Sequence, residues 1–338
     1  MKKFFFSFAA IIALLATSCV KEAKSDLTIS GDEVVATFNI RSIGIGTRAG
    51  YNDGTKATQL TYAIYDEDWT YLEEFVVDDA FDSNLEAEIN IRLVKNKKYN
   101  FVFWAQNPAA TCYVLDLKNT GVDAANPAVV NYPSFSVDYT KLAANPSNND
   151  NLDAFFGKEL EFVAGGAQNG KTVELKRPFA QINFGTDDLE AAKNMGYDIA
   201  NATVSFKTKA YTKMYLNDGS VADNMVDITF TDAPVIDKSK DNKSLSTDKG
   251  DFHWVSMNYI LWPVTNITAG STGTVDDKLS LPVCQITLKM NNQEPIVIDV
   301  PSAPACRNWR TNLVGLLLTE EELFKVVILP TPDGSTTK

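Results

Sequence analysis

Residues Val34 to Ile40 alternate strictly: Val34, Ala36, Phe38 and Ile40 share one face, with Val35, Thr37 and Asn39 on the other. A period of two is the signature of a half-buried β-strand and is incompatible with an amphipathic helix. The apolar set then moves to Ile43 and Ile45, a switch that a bulge or bend around Ser42 and Gly44 explains. Similar strands are expected at Thr58–Tyr65, Leu72–Val77, Ala87–Leu93 and Tyr99–Trp104. Between them lie turn signals such as Asn52-Asp53-Gly54 and Lys95-Asn96-Lys97-Lys98.

An Asn/Pro-rich stretch, Ala143 to Asn151, reads as a loop, and an apolar patch, Ala154-Phe155-Phe156-Gly157, follows it. A strand at Glu159–Val163 is expected to turn through Gly165-Gly166 and Asn169-Gly170 into a hairpin partner, Lys171–Lys176. Arg177-Pro178 opens another strand, Phe179–Phe184. The second half has one helical signal: Thr186-Asp187-Asp188 can cap a short helix, Leu189–Met195, ended by Gly196. Strands resume at Thr203–Lys207 and Val226–Phe230. A charged loop, Asp237 to Asp251, precedes the aromatic segment Phe252–Trp262. A hairpin then pairs Val283–Met290 with Pro295–Val300, and the last strand is Phe324–Leu329. Many short strands with frequent turns predict an all-β (mainly β) fold of two tandem β-sandwich domains, with a short helix in the second.

The N-terminus constrains the compartment. Lys2 and Lys3 precede an uncharged, mostly apolar run, Phe4–Ala16, and then Ala-Thr-Ser-Cys. The run is shorter than the roughly 20 residues that a membrane-spanning helix needs, so it reads as an export signal. A small residue before Cys19 marks a lipoprotein cleavage site, with Cys19 acylated; an ordinary signal peptide is the alternative. The expected division is signal peptide 1–18, polar tether 19–31, N-terminal sandwich 32–176, C-terminal sandwich 177–330 and flexible tail 331–338. No later segment reads as a membrane helix, which leaves the N-terminal lipid as the link to the outer membrane. Three further cysteines, Cys112, Cys284 and Cys306, permit at most one internal disulfide, Cys284 with Cys306 being closest in sequence; buried thiols are the alternative.

The composition argues against several functions. In 338 residues, 31 Lys and Arg stand against 43 Asp and Glu, a net charge of −12, with no basic cluster; nucleic acid is not an expected partner. Gly44-Ile45-Gly46-Thr47-Arg48-Ala49, with Asp66 and Asp68 downstream, fits the dinucleotide fingerprint. The residues that follow read as a turn and a strand, whereas that fingerprint needs a helix to aim at the pyrophosphate. His253 is the single histidine, set between Phe252 and Trp254, so no catalytic triad or usual zinc site is expected. Glu73-Glu74, Asp187-Asp188 and Glu320-Glu321-Glu322 read as solvated charge, since neighbours on a strand face opposite sides. No enzyme activity, metal or cofactor is expected. Trp69, Tyr71, Trp104, Trp254, Tyr259, Trp262 and Trp309 read chiefly as core, with a sugar-stacking platform as the alternative.

Several segments in order carry a family resemblance: "LTYAIYDEDWTYLEE" (60–74), "YNFVFWAQNP" (99–108), "DAFFGKELEF" (153–162), "VELKRPFAQINFGTDDL" (173–189) and "NWRTNLVGLLLT" (308–319). Together with the lipoprotein signal they resemble the fimbrillin (type V pilin) superfamily. The resemblance implies a transthyretin-like N-terminal sandwich and assembly by donor-strand exchange. An arginine-specific protease would cut after the first strand, and a strand from another fimbrial subunit would fill the groove. Arg48–Ala49, in a glycine-rich connection, is the matching cut site; an ordinary solvated arginine is the alternative. The removable strand carries Val34, Ala36, Phe38 and Ile40. The candidate donor strand carries Phe324, Val326 and Ile328; a permanent strand of the second sandwich is equally open. The resemblance thus implies a fimbrial subunit or fimbrium-associated lipoprotein of the cell surface that supports adhesion. The alternative is a monomeric surface lipoprotein binding a host protein or glycan.

Overall fold

The computed structural model describes residues 31–42, 53–142, 147–165, 170–222, 224–234, 244–247, 250–263, 280–291, 293–300, 303–319 and 324–329. The first half supplies β1 (Glu33–Ser42), β2 (Gln59–Asp66), β3 (Tyr71–Val77), β4 (Glu86–Val94), β5 (Lys98–Gln106), β6 (Tyr113–Asp116), β7 (Gly121–Val122), β8 (Val130–Asn131), β9 (Ser134–Val137), β10 (Ala154–Val163) and β11 (Gly170–Leu175). The second supplies β12 (Phe179–Thr186), α1 (Leu189–Asn194), β13 (Asp198–Tyr211), β14 (Lys213–Tyr215), β15 (Met225–Pro234), β16 (Ser244–Thr247), β17 (Gly250–Leu261), β18 (Ser280–Leu281), β19 (Cys284–Asn291), β20 (Ile296–Asp299), β21 (Ala303–Pro304), β22 (Arg310–Gly315) and β23 (Phe324–Leu329). The fold is all-β, as the periodicity predicts.

Two sandwiches account for most of these strands. In the first, a sheet ordered β11-β1-β4 faces one ordered β10-β5-β2-β3. β4 shows the underlying pattern: Ala87, Ile89, Ile91 and Leu93 are buried, while Glu86, Glu88, Asn90 and Arg92 are exposed. Its core gathers Phe38, Phe101, Phe103, Phe155 and Phe162. In the second, the sheet β16-β17-β12-β22-β23 faces β15-β13-β19-β20 around Ile182, Phe184, Phe206, Phe230, Ile286 and Leu313. A small sheet, β14-β9-β6, lies between the sandwiches and helps to build a third core from Trp104, Phe135, Phe179, Met214, Trp254 and Tyr259. β5 is buried on both faces in consequence, which explains its nearly continuous apolar run.

Four local expectations are corrected. The strand expected at Glu159–Val163 begins at Ala154, so the apolar patch belongs to it, and β10 pairs with β5. Its expected hairpin partner, β11, crosses instead to the opposite sheet and pairs in parallel with β1. A backbone bridge between Phe156 and Lys176 joins β10 to the chain just after β11, and Lys171 of β11 pairs with Glu159 of β10 at 2.8 Å. Within the charged stretch 237–251, Ser244–Thr247 form β16 against β17, with Leu245 opposite Phe252. Four mostly polar residues carry no period that would announce a strand. Finally, α1 forms where expected, but Asp188 makes no side-chain cap. Its carboxylate accepts instead from the backbone N–H groups of Leu318 and Thr319, at 3.0 and 2.8 Å, and from the Thr319 hydroxyl. Those bonds pin the chain after β22 to the start of the helix.

Cys112, Cys284 and Cys306 are buried thiols, none in a disulfide. Burial pushes the Cys112 thiol up to about 11 and that of Cys284 to about 12, so neither is a nucleophilic thiolate near neutrality. Among the described residues, no helix is long and apolar enough to cross a membrane.

Candidate functional site

β1 is the earliest strand of the chain among the described residues, yet it occupies the middle of its sheet. On one side it runs antiparallel to β4, with Val34 opposite Leu93, Phe38 opposite Ile89 and Ile40 opposite Ala87. On the other it runs parallel to β11, with Thr37 opposite Gly170, Ile40 opposite Val173 and Ser42 opposite Leu175. The strand therefore supplies hydrogen-bonding groups to two neighbours at once.

The two faces of β1 differ as alternation dictates. Ala36, Phe38 and Ile40 are fully buried, and Val34 packs half-buried on the same core. The Phe38 ring lies 4.7 Å from that of Phe101, 5.1 Å from Phe162 and 5.8 Å from Phe103, centroid to centroid. On the outer face, the Thr37 hydroxyl donates to the Asn90 side-chain oxygen at 2.7 Å, and Arg41 meets Glu86 at 3.5 Å in solvent. Phe38 and Ile40 each gain about 1.5–3 kcal/mol from burial. Taking β1 away would bare a trough floored by Phe101, Phe103 and Phe162, between two rows of unpaired backbone groups.

The wall of that trough depends on Gly157. A Cβ there would lie 2.6 Å from a Leu175 methyl and 2.9 Å from the Glu174 carbonyl oxygen. A side chain would therefore push β11 off β10 and disturb the edge against which β1 lies. Nothing in the local pattern around Gly157 marks this need, because the approaching strand comes from the other sheet.

The family of unknown function DUF6562 matches residues 16–337 of the chain. The chain belongs to that family. No curated protein matches it. Among solved structures, this DUF6562 chain is similar to a candidate adhesin of Bacteroides thetaiotaomicron, at 12% identity and a TM-score of 0.49, covering 90% of this chain and 97% of the other. The tip fimbrial protein Mfa3 of Porphyromonas gingivalis is similar at 12% identity and a TM-score of 0.45, covering 88% and 99%. The fimbrial anchor protein Mfa2 of the same organism is similar at 12% identity and a TM-score of 0.37, covering 88% and 97%.

The other sequence-predicted positions of this DUF6562 protein fall as follows. Cys19, Arg48 and Ala49 lie outside the described residues. Phe324, Val326 and Ile328 lie on β23, which pairs antiparallel with β22 at the edge of the second sandwich. The Gly44–Ala49 fingerprint leads to no helix among the described residues; turns from Asp53 run into β2. Of the aromatic residues, Trp104, Trp254, Tyr259 and Trp262 are buried core, whereas Trp69, Tyr71 and Trp309 are only half-buried.

Proposed function

We propose that this protein is a non-catalytic, lipid-anchored surface subunit of fimbrial type whose first strand is replaceable by a strand from another subunit. The solved structures named above are described as fimbrial and adhesin proteins, and this is the class of role proposed here. The single observation that carries the reading is the position of β1: earliest among the described strands, central in its sheet, with Ala36, Phe38 and Ile40 seated in the core. One cut in the connection between β1 and β2 separates β1 from the other described strands of the sandwich. Cutting Arg48–Ala49 would leave β1 held by backbone hydrogen bonds and apolar packing alone. An incoming alternating strand would satisfy the same groups, so exchange swaps like for like. β23 is a candidate donor because an edge strand gives up one ladder on leaving, not two.

Mature protein from the native cell surface tests the reading by N-terminal sequencing and unheated SDS electrophoresis. The expected result is an N-terminus at Ala49, with multimers that survive SDS and collapse on boiling. Material that always begins at acylated Cys19 and runs as a monomer would overturn it. A surface lipoprotein that binds its target as a monomer would then be the better account.

A further inference from the structure

The small sheet β14-β9-β6 buries one face in the third core; on the other, Val114 and Asp116 are exposed, Lys213 and Tyr215 half-buried and Ser134 buried. Leu115, Phe135 and Met214 point into the third core, so their sequence neighbours point outward. Register places Asp116, Ser134 and Tyr215 in one row across the three strands, and Val114, Ser136 and Lys213 in the next. The first row lies in a groove of about 400 Å³, whose far walls are the end of β8 with Tyr132 and the turn Asn217–Ser220. That volume is within the range of small-ligand sites, about 300–1,000 Å³.

The lining combines two kinds of group. Tyr132 is exposed, and its ring is braced edge-on by Trp69 at 5.6 Å, while Tyr215 is half-buried with Lys213 over its ring. Trp69 is itself held at the β2–β3 hairpin tip with φ of 61°. There the Asp66 carboxylate accepts from the backbone N–H groups of Asp68 and Thr70. The same groove is lined by Asp116 and Asp218, which accept, and by Asn119 and Asn131, which both donate and accept. Hydroxyls that each need a donor and an acceptor fit this set, and flat apolar ring faces fit the tyrosines. Two carboxylates beside Lys213 leave no strong excess of either charge for a phosphate or a polyamine to exploit.

We propose that this groove binds a neutral oligosaccharide, with Tyr132 and Tyr215 as stacking platforms and Asp116 as a hydroxyl acceptor. The site lies apart from the seat of β1 and does not depend on strand replacement. The test is calorimetric titration of the full chain with maltotetraose, cellotetraose and mannotetraose, followed in parallel by tryptophan fluorescence. At least one of the three is expected to bind saturably. Tyr132→Ala and Tyr215→Ala are each expected to weaken it about tenfold, the equivalent of one lost ring contact. Asp116→Asn, an isosteric surface change, is expected to weaken it as well, whereas Val297→Ala on β20 is expected to leave it unchanged. Circular dichroism confirms that each variant is folded. No saturable binding of any of the three, or binding that survives both tyrosine substitutions, would overturn the proposal.

Discussion

Phe38 and Arg41 sit three residues apart on one strand and are expected to behave oppositely. Phe38 is fully buried among three other phenylalanine rings, so Phe38→Ala removes a large side chain and leaves a cavity. Urea unfolding is expected to show a loss of about 3–5 kcal/mol. Arg41 and its partner Glu86 are both more than half exposed, and Arg41→Ala is expected to cost less than about 1 kcal/mol. A second buried group matters where β10 begins and β12 is approached. Arg177 donates from Nε and Nη2 to the two carboxylate oxygens of Asp153, each at 2.7 Å, and both side chains are 1% exposed. Its guanidinium also lies 4.6 Å from the centre of the Phe155 ring. Arg177→Leu strands a buried carboxylate and is expected to destabilise by about 3–5 kcal/mol. Adding Asp153→Leu is expected to recover much of that loss, since the unpaired charge is then gone. A double-mutant cycle by urea unfolding checks both statements; equal losses in the single and double variants would refute them.

At the scale of elements, the contact between β10 and β11 decides how firmly β1 is held. Gly157→Ala places a methyl against Leu175 and the Glu174 carbonyl, so β11 must move outward. Overpacking of this kind costs about 1–3 kcal/mol. Part of the effect is expected to appear as faster hydrogen exchange at the β1 amides, because their parallel partner is β11. Exchange that quickens uniformly over the molecule would refute the local account. The same contact shows what the sequence could and could not announce. Strands β1, β2, β4 and β5 were legible because each carries a period of two or a buried apolar run over several residues. Pairing partners were not, since alternation gives a strand its faces but no address. Gly165-Gly166 and Asn169-Gly170 are good turn residues, and that chemistry suits a crossing between sheets as well as a hairpin. β1 itself was legible as the candidate strand from Val34, Ala36, Phe38 and Ile40. Its central place between β4 and β11 was visible only in the fold. The groove tyrosines gave less warning still, for Tyr132 and Tyr215 lie on short segments separated by more than eighty residues, and only the register of β6, β9 and β14 brings such segments together.

Over the whole molecule, the third core determines whether the two sandwiches behave as one body. Neighbouring domains of one chain are expected to move relative to each other unless a large apolar interface joins them. Here a run of rings crosses the junction. Trp104 of β5 stacks on Phe135 of β9 at 4.1 Å, and Phe135 meets Phe179 of β12 at 6.0 Å. Phe179 in turn meets Tyr259 of β17 at 6.1 Å. Trp104, Phe135 and Phe179 are each no more than 2% exposed. A single cooperative transition is therefore expected on heating, with calorimetric and van't Hoff enthalpies equal and tryptophan fluorescence coincident with far-UV circular dichroism. Trp104→Ala removes the ring that ties the first sandwich to this row, at a cost of about 3–5 kcal/mol. It is expected to split the transition in two, because each sandwich keeps a core of its own, around Phe101 in one and Phe206 in the other. Two transitions already present in the unmodified protein would show that the rings do not couple the sandwiches. In the surface role proposed above, coupled sandwiches would pass force applied at the seat of β1 through these packed rings into the second sandwich, sharing the load between two cores.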